Sequence, residues 1–475
     1  MRRFAIFVGA VLLLPGSVRG QAPGQLSQAV QNFVSVPEAV VALTNVKLLD
    51  GTGTPARAGM TVVIANGRVE TVGPTASTRP PAGARVIDLT GHTVMPGIIG
   101  LHDHMYYSSV GGSMKPMLFS YPRLFLGAGV TTIRTTGSVD PYQELNLRAA
   151  IEAGQVPGPE IFVTGPYLQG PGQGPGAMHP LDGPEDARRM VRYWAEEGVS
   201  WFKAYTQISR EALTAAIDEA HKHGVKVTAH LCSVGFREAV AAGIDNLEHG
   251  LLVNTEYQDA KRPNECPTGS SRGENYANLD ITSPDVQRTI QEMVQNNVGM
   301  TSTLAVMELS TPDRVPMDER VLDAVFPDAR KALVDWRTNA EGKRNPTEHE
   351  ALAKAMEFER AFVAAGGTLA AGSDPCCLTA IAGYADQRNF ELLVEAGFTA
   401  EEAARIMSAN GAKILGIADR VGTLEQGKQA DLIVVRGDLT ENAADIRNVV
   451  HVFRKGVGYD PEKLVASVQG LIGIR

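Results

Sequence analysis

Four cysteines in 475 residues are too few for a disulfide scaffold to hold the chain together. No two of them stand at the C-x2-C spacing of a zinc ribbon, so none is assigned as a metal ligand. Cys232 and Cys266 can pair in an oxidising compartment, whereas adjacent Cys376 and Cys377 read as free thiols near a site or as one thiol paired elsewhere. Basic charge is also scarce: 44 Lys and Arg stand against 53 Asp and Glu, for a net charge of -9, and no Lys/Arg block breaks the pattern. Nucleic acid and anionic lipid are therefore poor partners. Long apolar runs are missing too, since the stretch 4–14 is too short to span a bilayer as a permanent helix.

What is present is ordinary globular composition, 44% hydrophobic and 20% charged, enough to bury one large core or two smaller ones. Residues 1–20 read as a signal peptide: basic Arg2 and Arg3, the apolar stretch, Pro15-Gly16, and small residues before Gln21. The expected protein is exported, periplasmic or extracellular, with no membrane span once the signal is removed. Residues 21–38 read as a flexible segment.

Short β-prone runs at 40–49, 61–72 and 85–94 are punctuated by Asp50-Gly51, Asn66-Gly67 and Gly91. Runs at 422–429, 430–435 and 449–455 read the same way, so both ends of the mature chain, 39–93 and 419–475, are expected to build one small β-sandwich domain. Between them, 94–418 alternates β-prone and amphipathic segments. The expected strands are 98–104, 130–136, 160–165, 201–205, 225–230, 246–249, 299–304 and 368–374, with helices such as 184–197, 210–223 and 348–365 between them. Eight strands alternating with helices predict an α/β fold of the (β/α)8 TIM-barrel type, in which chemistry gathers at the C-terminal strand ends.

Those ends carry His102 and His104 on the first strand, Lys203 on the fourth, His230 on the fifth, His249 on the sixth and Asp374 on the eighth. Two imidazoles two residues apart on a strand converge on one point, but a lone His-x-His is common by chance. A barrel would gather all six residues around one mouth, as a pocket for two divalent cations requires.

The segments LHDHM (101–105), WFKAY (201–205), VTAHL (227–231), NLEHG (246–250) and AGSDP (371–375), in this order, resemble the amidohydrolase superfamily of metal-dependent hydrolases. The resemblance runs from about Val40 to about Tyr459 and is similar in feel to exported relatives of imidazolonepropionase and to prolidase-like and ochratoxinase-like dipeptidases. It implies that His102, His104 and Asp374 bind one metal and that His230 and His249 bind the other. Lys203, carboxylated by carbon dioxide to a carbamate, would bridge the two. Bridging anions answer a need of charge, because neutral imidazoles do not balance two divalent cations. Imidazolonepropionase itself looks mononuclear without this lysine, so Lys203 favours the two-metal branch.

Zinc is the ion expected from His-rich ligation, with manganese or iron open. The implied reaction is attack of a metal-bridging hydroxide on an amide carbonyl, with Asp374 moving the proton to the departing amine. The expected substrate is a small molecule, a dipeptide or an N-acyl amino acid. A cyclic amide or lactone on the same centre, and a noncatalytic binding protein of this fold, are the alternatives. A homo-oligomer remains open.

Four further residues have two readings each. Tyr205 shares a strand face with Lys203 and either donates to the developing oxyanion or simply packs. His179, in the Gly/Pro-rich loop 165–183, is a substrate contact or an ordinary surface histidine. Arg134 binds a substrate carboxylate or makes a structural ion pair; the residue after it is Thr135, where relatives often carry an acid. Glu248 is expected on the other side of the strand from His249, either packed on a helix or supporting a ligand from behind. His92, His221, His223 and His451 read as structural or surface residues, and Asp103 as structural. Residues 254–280 read as an insertion that forms a lid, a subunit contact or a plain loop.

Overall fold

Two patterns of burial divide the chain. In the computed structural model, which describes residues 26–108, 114–172, 178–269 and 271–473, strands that are buried on both faces alternate with helices, and strands near both chain ends join a separate sheet. The expected signal peptide lies outside the described residues.

Besides a short antiparallel pair, Tyr106–Ser108 with Met114–Pro116, the described alternating part contains eight parallel strands, numbered here β1 Ile98–Asp103, β2 Val130–Thr135, β3 Glu160–Phe162, β4 Trp201–Ala204, β5 Lys226–Ala229, β6 Asn246–Glu248, β7 Gly299–Ser302 and β8 Leu369–Ala371. All neighbouring pairs are parallel, in sheets of order β3-β2-β1 and β4-β5-β6-β7-β8. Every residue of β1 and β2 is buried, as strands covered on both faces by helices require. A helix follows each strand. Arg210–Lys222 shows the local logic: Ser209 caps its first turn by accepting from Ala212 N–H, its apolar residues face the strands, and Gly224 at φ +67 follows its end.

The two parallel sheets meet at an isolated bridge between Thr164 and Trp201, where Gly165 N–H donates to Trp201 O at 2.9 Å. At the opposite seam, Asp374 N–H donates to His102 O at 2.8 Å, just past β8. The arrangement is TIM-barrel-like α/β, with continuous ladders inside each sheet and isolated bridges and backbone hydrogen bonds at the seams. Gly372 sits at the second seam, where a Cβ would fall 2.2 Å from His102 N.

The terminal strands form one nine-stranded sheet. Leu432–Arg436 pairs antiparallel with His92–Pro96 and stitches the two chain ends together, and Val40–Leu48 pairs with Arg57–Ala65, Arg85–Asp88 and His92–Pro96. The strands expected to build the small β domain are joined in one hydrogen-bonded sheet that branches at Val40–Leu48, where Arg85–Asp88 pairs off the main path. The run at 61–72 is split by Asn66-Gly67, both at positive φ. The run at 422–429 is turns rather than a strand, anchored through a bridge from Gln429 to Arg68. No described helix is long and apolar enough to cross a membrane. Cys232 and Cys266 are bonded, which ties the segment after β6 to the loop after β5.

Gly372→Ala is expected to cost about 1–3 kcal/mol through forced separation of β8 from β1. Gly366→Ala, with φ +93 and open space around it, carries only the left-handed penalty of about 1–2 kcal/mol. Urea melts of both variants test this; an unchanged midpoint for Gly372→Ala contradicts the tight seam.

Candidate metal centre

The six strand-end residues meet. His102 lies within β1 and His104 directly after it, Lys203 is the third residue of β4, His230 and His249 directly follow β5 and β6, and Asp374 lies three residues past β8. Donor atoms of His102, His249 and Asp374 all fall within 4.8 Å of one another, a group able to hold a metal ion. Asp374 is the hub: its carboxylate oxygens are 3.0 Å from His104 Nε2, 3.7 Å from His102 Nε2 and 3.9 Å from His249 Nε2. Lys203 Nζ is 3.5 Å from His102 Nε2. The His230 and His249 rings are 4.4 Å apart.

Backbone geometry makes this convergence. A strand sends neighbouring side chains to opposite faces, so Glu248 and His249 would diverge if β6 continued. It does not. His249 adopts φ +63, the left-handed region that costs a non-glycine residue energy, and both side chains reach the interior. Asp374 does the same at φ +47.

Behind the histidines lies a buried charge network. Glu248 is fully buried and accepts from His102 Nδ1 at 2.8 Å, from Arg134, from Thr228 Oγ1 and from Asn246 Nδ2 at 3.1 Å. Burial alone would raise the Glu248 carboxyl, but the Arg134 guanidinium, followed by His102 and Lys203, holds it well below the usual range. An ionised Glu248 fixes the proton of His102 on Nδ1 and leaves Nε2, a metal-ligating lone pair, facing Asp374. Burial and the nearby Lys203 charge push His102 down to about 4, so its imidazole is neutral. His249 Nδ1 is likewise engaged by Thr303 Oγ1 at 2.7 Å. Asp374, which burial would raise, is held down chiefly by His102 and then His104.

Burial lowers Lys203 to about 8, bringing its uncharged amine, the form that reacts with carbon dioxide, within reach near neutral pH. Among the described residues it has no carboxylate within ion-pair distance. Neutral imidazoles, a carboxylate and a buried amine suit a divalent cation, so the donor set fits the group that the sequence implied.

Three expected substrate contacts separate. The Tyr205 ring stands 5.0 Å from that of His230 and 5.2 Å from that of Tyr167, at the site. Arg134 is fully buried, paired with Glu248 and stacked 4.5 Å over Trp201, so it is a structural ion pair and not a carboxylate clamp. His179 is exposed, 3.5 Å from Asp186 on the following helix, and is not brought to the cluster.

Sequence reasoning left Glu248 between two roles, read Asp103 as structural without a partner, and missed the other supports. Asp103 accepts from Ser373 Oγ at 2.8 Å, tying the His-x-His strand to the residue before Asp374. Gly100 leaves room for that carboxylate, since a Cβ there would be 1.9 Å from Asp103 Oδ2. Tyr106 stacks on His104 and shares a 2.9 Å hydrogen bond with Tyr167. The tyrosines carried no motif, but the acid flanked by two histidines was a visible signal.

Residues 93–457 match the amidohydrolase family, a span that includes all six converging residues. A candidate prolidase from Bifidobacterium longum is similar at 27% identity, covering 90% of this chain and 98% of that one, with a TM-score of 0.65. A Xaa-Pro dipeptidase with methionine in its active site shares the fold at 20% identity, 89% and 100% coverage and a TM-score of 0.66. An uncharacterised Mycobacterium tuberculosis protein is 28% identical over 214 residues, 42% of this chain; the chain spans about half, 54%, of that curated relative's length. The family match covers well over half of the sequence, and the chain belongs to the amidohydrolase family.

Proposed function

We propose that the protein is an exported metal-dependent hydrolase acting on carbon-nitrogen bonds, which cleaves the amide of a dipeptide or an N-acyl amino acid at a two-ion centre. The observation that carries this reading is the convergence of His102, His104 and His249 on Asp374, with Lys203 beside His102 and His230 beside His249, from strands far apart in sequence. Likeness to the candidate prolidase supports the choice of a dipeptide-like amide. The Cys232–Cys266 bond supports export, since disulfides persist in oxidising compartments.

His102, His104 and Asp374 would hold one ion and His230 and His249 the other, with Lys203, as its carbamate, between them. Zinc is the ion proposed. Ions bound there supply Lewis acidity to the carbonyl and bring the pKa of bound water toward neutrality. Asp374 is ionised, and its oxygens lie beside the histidine nitrogens. It takes the proton from the attacking water and passes it to the departing amine nitrogen. Tyr205, its ring beside His230, donates a hydrogen bond to the oxygen on which negative charge develops.

Asp374→Asn is expected to keep the fold and lower turnover by about 10²–10⁴-fold; full activity removes its acid-base role. Lys203→Ala should bind fewer than two zinc ions per chain by metal analysis, and two retained ions contradict the carbamate bridge. A hydrolysis screen of zinc-loaded protein over dipeptides, N-acyl amino acids and lactones should give turnover on one of the first two classes. Lactones alone, or nothing, contradict the amide assignment.

A further inference from the structure

Two and three residues past Asp374, Cys376 and Cys377 are both half-buried, and their sulfurs are 2.8 Å apart. The loop that carries them is shaped for an unusual backbone. Asp374 at φ +47 and Leu378 at φ +50, neither of them glycine, bracket the pair. The loop is also pinned on several sides. Cys376 O accepts from Ser108 N–H at 2.7 Å, Pro375 O from Tyr121 Oη at 3.1 Å and Leu378 O from Tyr107 Oη at 3.0 Å, while Cys376 N–H donates to Asp374 O at 2.7 Å. Cys377 closes the turn by bridging to Ala380.

We infer that Cys376 and Cys377 are a redox-modifiable pair that closes to a vicinal disulfide beside the metal centre. Bond formation needs the sulfurs to move from 2.8 Å to about 2.05 Å, a small displacement in a loop that already holds them together. Adjacent Cα atoms are about 3.8 Å apart, closer than the roughly 4.4–6.8 Å that relaxed disulfides span. The bond is therefore strained and readily reduced, unlike the Cys232–Cys266 bond, whose Cα atoms are 4.9 Å apart.

The oxidant is a small-molecule disulfide. A cysteine thiolate attacks it, one sulfur leaves as a thiolate, and the second cysteine then attacks the mixed disulfide and releases the other half. One S–S bond breaks and one forms. Two electrons pass from the cysteine pair to the oxidant, and the two cysteine protons end on the two released thiols. Ring closure turns the Cys376–Cys377 peptide and loosens the contact between Cys376 O and Ser108 N–H, which pins the loop beside Asp374, so the oxidised form turns over substrate more slowly. The bond itself stands apart from the proposed hydrolysis, and only the effect on turnover rests on that reading.

The test equilibrates the full mature protein in mixtures of oxidised and reduced glutathione, then alkylates it under denaturing conditions and maps peptides by mass. The expected result is a 376–377 peptide two hydrogen masses lighter and unalkylated on the oxidised side, doubly alkylated on the reduced side, while Cys232 and Cys266 stay linked throughout. Turnover falls several-fold on oxidation, recovers on reduction, and is insensitive to the mixture in the Cys376→Ser, Cys377→Ser double variant. Two alkyl groups, or glutathione adducts, on the 376–377 peptide at every mixture overturn the proposal. A protein inactive in both states sinks the hydrolase reading, and the mass shift still decides this one.

Discussion

The buried pair of Arg134 and Glu248 is the interaction on which the site depends. Both side chains are fully shielded from solvent, and each buried ion costs several kcal/mol in lost hydration. Part of that cost is offset here, because the carboxylate also accepts from His102, Thr228 and Asn246 and the guanidinium stacks over Trp201. One acid on β6 thereby links β1, β2 and β5. Its charge sets the tautomer of His102, while burial and the nearby Lys203 keep that imidazole neutral, the form a divalent ion needs. Packing and electrostatics are the same feature in this interior.

A second constraint acts at the strand ends. His249 and Asp374 adopt left-handed backbone, and these two local costs turn side chains into the mouth that regular strands would have sent elsewhere. The seam between β8 and β1 then brings Asp374 against the His-x-His strand through its own N–H, through Gly372 and through the bond from Ser373 to Asp103. Asp374 is held from the backbone outward, and so is the loop of Cys376 and Cys377 that follows it.

Much of this was legible in the sequence. Strands buried on both faces read as apolar runs, and the expected run at 201–205 overshoots the observed Trp201–Ala204 by one residue. The overshoot has a cause: polar residues at strand ends continue the pattern in sequence while the chain has already turned. The six converging residues were legible because strand ends place them on one side of the barrel-like arrangement. Arg134 was not settled, since a buried arginine and a substrate-facing one read alike until a partner on β6 is known. Asp103 and Ser373 are 270 positions apart, and no periodicity connects them. The run at 422–429 failed because β-prone composition does not supply a strand partner.

The family gives the fold and the placement of the site, and the amide chemistry rests on whether these residues hold two ions. Anomalous diffraction from crystals of the zinc-loaded protein tests that claim most directly. The account predicts two anomalous peaks per chain, one among His102, His104 and Asp374 and one beside His230 and His249, with carbamate density extending from Lys203 between them. A single peak, with unmodified Lys203 Nζ, would contradict it.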